Sequence, residues 1–276
     1  MTHDDIDQLQ RIIARELEVQ PGADIRDEIQ RRQAFLIDQL HTTGQHCLVL
    51  GISGGVDSTS AGLLAQRAVE AARERLPEAR FIAMRLPYGE QQDDDDAWQA
   101  LDAIQPDECL TVNIKPASDA MLEALEQAGL EFRDQAHRDF VMGNIKARQR
   151  MIAQYAVAGA QGGLVIGTDQ AAEAVMGFYT KHGDGACDLV PLAGLTKGQV
   201  RDMAAQLGAP DTLVNKVPTA DLESLRPQLS DEEALGVSYA AIDRFLTGES
   251  VAPEDAERII ATWRRTAHKR AMPRTP

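Results

Sequence analysis

Four short apolar runs constrain this chain more than any other feature: CLVLGI (Cys47 to Ile52), RFIAMRL (Arg80 to Leu86), ECLTVNI (Glu108 to Ile114) and GLVIGT (Gly163 to Thr168). Each is too short for a buried helix and lacks strict polar alternation, so each reads as a strand covered on both faces. Parallel strands cannot be closed by two-residue hairpins, and the helical stretches between the runs supply the crossovers they need. The predicted fold is therefore α/β, a doubly wound parallel sheet with helices on both faces. In such sheets ligands bind beyond the carboxyl ends of the strands, which directs attention to the loops after the four runs.

The flanks are helical. Ile6, Leu9, Ile12, Ile13 and Leu17 share one helix face, and Ile25, Ile29, Phe35, Leu36 and Leu40 form a second, so residues 1–43 are predicted as two amphipathic helices. After Pro191 the helical period returns, with capping-box starts at Thr196 (Gln199 three residues on) and Ser230 (Glu233 three residues on). No repeat or low-complexity linker interrupts the chain, and one domain over 1–276 is expected: N-terminal helices to 43, an α/β core over 47–195, and a mainly helical part with a tail over 196–276. At 276 residues a single core is large enough to need no disulfide or metal staple. The three cysteines, Cys47, Cys109 and Cys187, contain no C-x-x-C spacing and suggest neither a disulfide framework nor a zinc site. The acidic opening MTHDDIDQLQ does not resemble a secretory signal, and no run approaches the ~18 apolar residues of a membrane span. A cytoplasmic protein without a membrane partner is expected.

Charge narrows the function classes. With 43 acidic against 28 basic residues the net charge is −15, which argues against a nucleic-acid partner, because sequence-independent affinity for nucleic acid comes from Lys and Arg on phosphates. A phosphate ligand would need a local site. Only six of the basic residues are Lys (Lys115, Lys146, Lys181, Lys197, Lys216 and Lys269), so a loop lysine stands out against the arginine background.

The loop after the first run is such a site. Ser53-Gly54-Gly55-Val56-Asp57-Ser58 leads directly into an apolar helix. Its glycines permit close backbone approach, and successive N–H groups at a helix start form an anion cradle to which the hydroxyls add donors. The spacing is neither that of a Walker A loop nor that of a dinucleotide turn. After the fourth run, Asp169 and Glu173 stand four apart, on one face of a helix read as beginning there. Like charges at that spacing repel weakly, and a hard cation would offset the repulsion. Asp169 is read as a cap rather than a ligand. Lys197 follows the presumed cap Thr196, where a cation faces the positive helix end and is expected to point away into solvent unless an anion is present. Residues 180–185 read as an exposed turn, Asp93 to Asp96 as a solvated helix start, and the late His268-Lys269-Arg270 as cations favoured by a helix C-terminus.

The SGGVDS string resembles the pyrophosphatase loop of the N-type ATP pyrophosphatases, which activate a substrate by adenylation. The stretch GTDQAAEAVMGFYTKHGDGACDLVPLAGLTKGQVR, the later PTADL and the HKR near the end make nearly the whole chain similar to the ammonia-dependent NAD synthetases of that superfamily. The resemblance implies an adenine nucleotide alpha hydrolase-like (Rossmann-like) fold, with ATP bound by Gly51, Ile52, Ser53, Gly54, Gly55, Val56, Asp57, Ser58, Thr168, Lys197 and Thr219. It implies Mg²⁺ on Asp57 and Glu173, and deamido-NAD on Arg148, Lys181, Asp188, His268 and Lys269, the last two from a mobile tail, with Arg150 a solvated neighbour of Arg148. It also implies a homodimer.

The implied reaction adenylates the nicotinate carboxylate of deamido-NAD with ATP and amidates it with ammonia, giving NAD, AMP and pyrophosphate at the last step of NAD biosynthesis. No covalent nucleophile is required. Only about 45 residues precede the first run, too few for a glutaminase domain, so free ammonia is the expected donor. The rivals are another adenylating amidase of the same loop superfamily, such as a tRNA-modifying or GMP-forming ligase, and a non-catalytic ATP-binding sensor.

Overall fold

The computed structural model describes residues 3–89, 94–219, 225 and 229–275. Two N-terminal helices, α1 (His3–Glu16) and α2 (Ile25–Thr43), precede β1 (Cys47–Gly51), α3 (Val56–Ala72), β2 (Arg80–Arg85) and α4 (Asp94–Ile104). Then come β3 (Glu108–Thr111), α5 (Lys115–Gln127), α6 (Gln135–Gln161), β4 (Gly163–Val165) and α7 (Ala171–Met176). The remainder is helical: α8 (Lys197–Leu207), α9 (Asp211–Val214), α10 (Asp231–Leu235), α11 (Tyr239–Leu246), α12 (Pro253–Arg265) and α13 (Ala267–Arg270).

The four strands form one parallel sheet in the order β3-β2-β1-β4, with Cys47 opposite both Arg80 and Gly163, and Ile82 opposite Glu108. Side chains alternate between faces. Leu48, Leu50, Phe81 and Ala83 enter a core built with α2, α3 and α8, while Cys47, Val49, Ile82, Met84 and Val165 pack on the opposite face under α6. A separate apolar cluster joins α1 to α7, α11 and α12, so the first helix is packed by the last ones. Among the described residues no helix is long and apolar enough to cross a membrane, and all three cysteines are free.

Two strand readings change. The strands stop short of the apolar runs, at Gly51, Arg85, Thr111 and Val165, because the next residues turn into loops at the carboxyl edge. β3 is not buried on both faces: Glu108, Cys109 and Thr111 are exposed, since it is an edge strand and α6 packs over β1 and β4 instead. Beyond β4, Leu189 forms a parallel bridge with Ile166, a one-residue extension that no apolar run announced.

This topology places the site. From β1 the chain winds outward through β2 to β3, then returns to β4 on the other flank of β1. Connections therefore diverge between β1 and β4, and a crevice opens at their carboxyl ends.

Candidate active site

A cleft of about 520 Å³ occupies that crevice. Its floor is the loop after β1, where Ser53, Gly55, Val56, Asp57 and Ser58 all line the cavity, as do Gly51 and Ile52. Gly55 caps α3 with extended backbone and no side-chain cap, so the first N–H groups of α3 have no intrahelical acceptor. Ser53 and Ser58 brace the turn: their hydroxyls lie 3.1 Å apart, and Gly55 N–H donates to Ser53 Oγ at 3.3 Å. Gly54 has φ +80°, and a Cβ there would stand 2.6 Å from the backbone of Asp96 and Ala97, so the loop is pressed against the start of α4.

Three charged side chains from three helices meet above this loop. Asp57 comes from the first turn of α3, Glu173 from α7 and Lys197 from the start of α8. Lys197 Nζ lies 2.5 Å from Asp57 Oδ2 and 4.0 Å from Glu173 Oε1, and 4.9 Å from the centre of the Tyr239 ring. Lys197 is 2% exposed, so the expectation of a solvated lysine is overturned. The cause is Asp243 on α11, whose carboxylate accepts from Lys197 N–H (3.0 Å) and Gly198 N–H (2.7 Å) and quenches the helix end that would repel the cation. The Thr196–Gln199 capping box forms as predicted.

The cap of helix α7 falls one residue later than the sequence suggested. Its cap is Gln170, whose side chain accepts from Ala172 N–H (2.6 Å) and Glu173 N–H (3.3 Å), so Asp169 does not cap it. Burial, then the charges of Asp184 and Asp57, push the Asp169 carboxyl up to about 7. Burial and the Asp57 charge also raise Glu173 well above the carboxylate range, against the pull of Lys197. Burial lowers the Lys197 ammonium, but Asp57 and Glu173 outweigh it and the net shift is upward. A further carboxylate, Asp231, is raised by burial and accepts from Tyr239 Oη at 2.8 Å.

Acidic groups around Lys197 thus outnumber it, and Asp57 Oδ1 is buried with no hydrogen-bond partner. An orphaned carboxylate oxygen beside a second carboxylate fits a hard divalent cation. Among the described residues no three acidic, His or Cys side chains are placed to hold an ion, so the protein donors would be two carboxylates, as Mg²⁺ on phosphates allows.

The rest of the wall comes from α6, which presents Gly143, Ala147, Arg150 and Gln154 at helical spacing, and from Thr168, Phe178, Tyr179, Thr180, Lys216, Thr219 and Lys269. Arg150, read as the solvated neighbour, faces the cleft and donates Nε–H to Leu86 O at 3.0 Å. Residues 180–185 are not simply an exposed turn, because Thr180 is buried and donates Oγ1–H to Asn144 Oδ1 at 3.1 Å. Asp94 pairs with Arg85 and Asp96 with Lys216, so the acidic start of α4 is not merely solvated. Asp93 of that run, and Ala220, Asp221 and Leu222 of PTADL, lie outside the described residues.

The residues assigned to deamido-NAD are arranged differently. Lys269 lines the cleft and donates to Gly177 O (2.8 Å) and Tyr179 O (2.6 Å). Arg148, Lys181, Asp188 and His268 do not line it. Exposed Arg148 donates to Lys181 O at 3.2 Å, Lys181 Nζ to His268 O at 2.6 Å, and Asp188 accepts from Val165 N–H at 2.7 Å. The tail is a formed helical turn, α13, with Arg270 donating to Ala174 O and Trp263 O.

Residues 28–273 match the family described as NAD synthase. The chain belongs to the NAD synthase family. It is 62% identical over 268 residues to a protein of Streptomyces coelicolor named NH(3)-dependent NAD(+) synthetase, covering 97% of each chain. The structure resembles the crystal structure of NAD+ synthetase from Burkholderia pseudomallei, with a TM-score of 0.84, 55% identity and coverage of 97% of this chain and 98% of that one. It also resembles NMN synthetase from Francisella tularensis, with a TM-score of 0.81 and 33% identity over 92% of this chain and 99% of that one. Asp243, Tyr239 and Asp231 are the site residues that sequence reasoning missed. Asp243 left one trace: it falls on the Tyr239, Ile242, Leu246 stripe of α11, where a charge is out of place.

Proposed function

We propose that the cleft activates the nicotinate carboxylate of deamido-NAD by adenylation and transfers it to ammonia, forming NAD, AMP and pyrophosphate. The observation that carries this reading is the Asp57, Lys197 and Glu173 cluster directly above an N–H-lined glycine loop. The names of relatives 58% to 62% identical support the product and the nitrogen source.

A carboxylate resists nucleophiles because of its own charge. Attack of its oxygen on the α-phosphorus of ATP breaks the bond to the β-phosphate oxygen and expels pyrophosphate; ammonia then attacks the acyl carbon and AMP departs. The residues of the chain act by positioning and charge. The α3 N-terminus and the hydroxyls of Ser53 and Ser58 hold the leaving pyrophosphate, Thr168 and Thr219 orient the nucleotide, and Lys197 neutralises charge as it builds. Mg²⁺ held by Asp57 and Glu173 would supply Lewis-acid neutralisation of the phosphates.

A homodimer is part of the proposal. Ile152 is 52% exposed, one turn beyond Arg148 on α6, on the face where Tyr155 Oη reaches Asp188. An exposed apolar side chain amid the substrate-assigned residues suits burial by a second copy that completes their site. A monomer in sedimentation with full activity would overturn this.

The function is tested by turnover with ATP and Mg²⁺, offering deamido-NAD or nicotinate mononucleotide, and ammonium or glutamine. NAD and AMP in equal amounts, from deamido-NAD and ammonium, is the expected result. Amidation of the mononucleotide alone, or no AMP, would sink it.

A further inference from the structure

Lys216 is a cavity cation that the reading above does not use. It lies just past α9, lines the cleft, and its Nζ stands 2.6 Å from Asp96 Oδ2. Asp96 belongs to the first turn of α4, and its backbone is the part of the molecule that Gly54 touches, so this ion pair sits beside the phosphate loop. Neither partner is deeply buried: the side chains keep 24% and 31% of their exposure. Such half-exposed pairs are held weakly and exchange partners readily. A second α9 to α4 contact, Thr212 Oγ1–H to Gln99 Oε1 at 3.0 Å, holds the same two helices together without charge.

Lys197 is locked between Asp57 and Glu173, so its positive charge is already committed. A triphosphate arriving at the loop would bring several negative charges against Asp57, Glu173 and Asp96. Lys216 is the cavity lysine whose partner is a single half-exposed carboxylate. We propose that Lys216 is a second phosphate-binding lysine, parked on Asp96 and transferred to the β,γ-phosphates of ATP, and hence to the departing pyrophosphate, when the nucleotide binds. This rests on the assignment of the cleft as an ATP site. The alternative is that the pair is only a latch fastening α9 to α4.

The two accounts differ in sign. Binding of pyrophosphate with Mg²⁺ is measured by calorimetry on the full chain, alongside KM for ATP. Lys216→Met should weaken pyrophosphate binding and raise KM for ATP, each by roughly tenfold or more, the size of one lost charge-assisted hydrogen bond. Asp96→Asn should act oppositely, because it frees the lysine. Removing a carboxylate near an anion also helps binding by itself, so the double variant decides: the gain from Asp96→Asn must shrink when Lys216 is already Met. Lys216→Arg should retain binding. Thr212→Val, which loosens the same helix contact without altering charge, should leave pyrophosphate affinity unchanged.

If Lys216→Met and Asp96→Asn weaken binding alike, or if Thr212→Val mimics Lys216→Met, the pair is a latch and the proposal fails. An undiminished Asp96→Asn gain in the double variant also overturns it. A parent chain that binds neither pyrophosphate nor ATP would instead refute the underlying assignment of the cleft.

Discussion

The two ends of the site are built in different ways. At the end beside the glycine loop, Asp57, Glu173 and Lys197 come from three helices and hold one another through side-chain charge, with Lys197 buried and the two carboxylates half-buried at the cleft wall. At the other end, Arg148 and His268 are exposed and Lys181 is half-buried, and Arg148 and Lys181 each donate to a backbone carbonyl. The contrast teaches that, on the proposed reading, a single chain would complete the nucleotide half and leave the substrate half as a surface. Buried charge fixes geometry at the cost of pH and mutational sensitivity, whereas an exposed set is tolerant and takes its shape from whatever covers it.

The largest effect should come from breaking the charged triad around buried Lys197. Asp57→Ala leaves Lys197 undercompensated, with an expected loss of about 3–5 kcal/mol of stability and of nearly all turnover. Glu173→Gln should keep the fold and lower kcat by about 10²–10³. Thermal melts read beside turnover check both, and wild-type rates in both variants would remove the triad from the mechanism.

Asp169 sharpens the contrast through pH. Its folded value of about 7 lies above the ordinary 3.8, so the stability linked to its proton is complete below pH 4 and is lost as pH rises through 7. Asp169→Asn should therefore match the parent at pH 4 and exceed it at pH 8, by roughly 2–4 kcal/mol in denaturant melts. An unchanged pH slope would show that this carboxyl is already ionised.

Gly54→Ala is expected to cost about 1–3 kcal/mol, because a positive φ and contact with the backbone of Asp96 and Ala97 leave no room for a methyl group. Activity should fall further than stability as the loop shifts off the phosphates.

Least disruptive should be Lys181→Ala, with stability changed by less than about 0.5 kcal/mol while KM for deamido-NAD rises roughly tenfold. Should it destabilise as much as Asp57→Ala, the distinction between the two ends collapses.

The same contrast governs what the sequence made legible. The shape of the glycine loop could be read because strand, glycines and hydroxyls lie within a dozen residues and share one local geometry. The sheet could be read for the same reason at β1 and β2, where uninterrupted apolar runs are buried on both faces, but not at the exposed edge strand β3. Glu173 and Lys197 were found by resemblance, and the depth of Lys197 was not foreseen because it depends on Asp243, 46 residues away in the chain. Arg150 was misread as solvated because positions 148 and 150 on a helix are separated by about 200°, and only the placement of α6 over the sheet decides which faces the cleft. The start of α7 was misplaced because Gln is a less usual cap than Asp.

The exposed edge at β3 has a practical consequence for measuring all of this. Cys109 sits on that edge in open solvent, whereas Cys47 is buried and Cys187 is half-buried with its thiol pushed up to about 12. A thiol-directed dye should therefore attach to Cys109 first. The native chain carries its own attachment point for a fluorophore, one strand removed from β1 and its glycine loop, with no cysteine needing to be introduced or deleted.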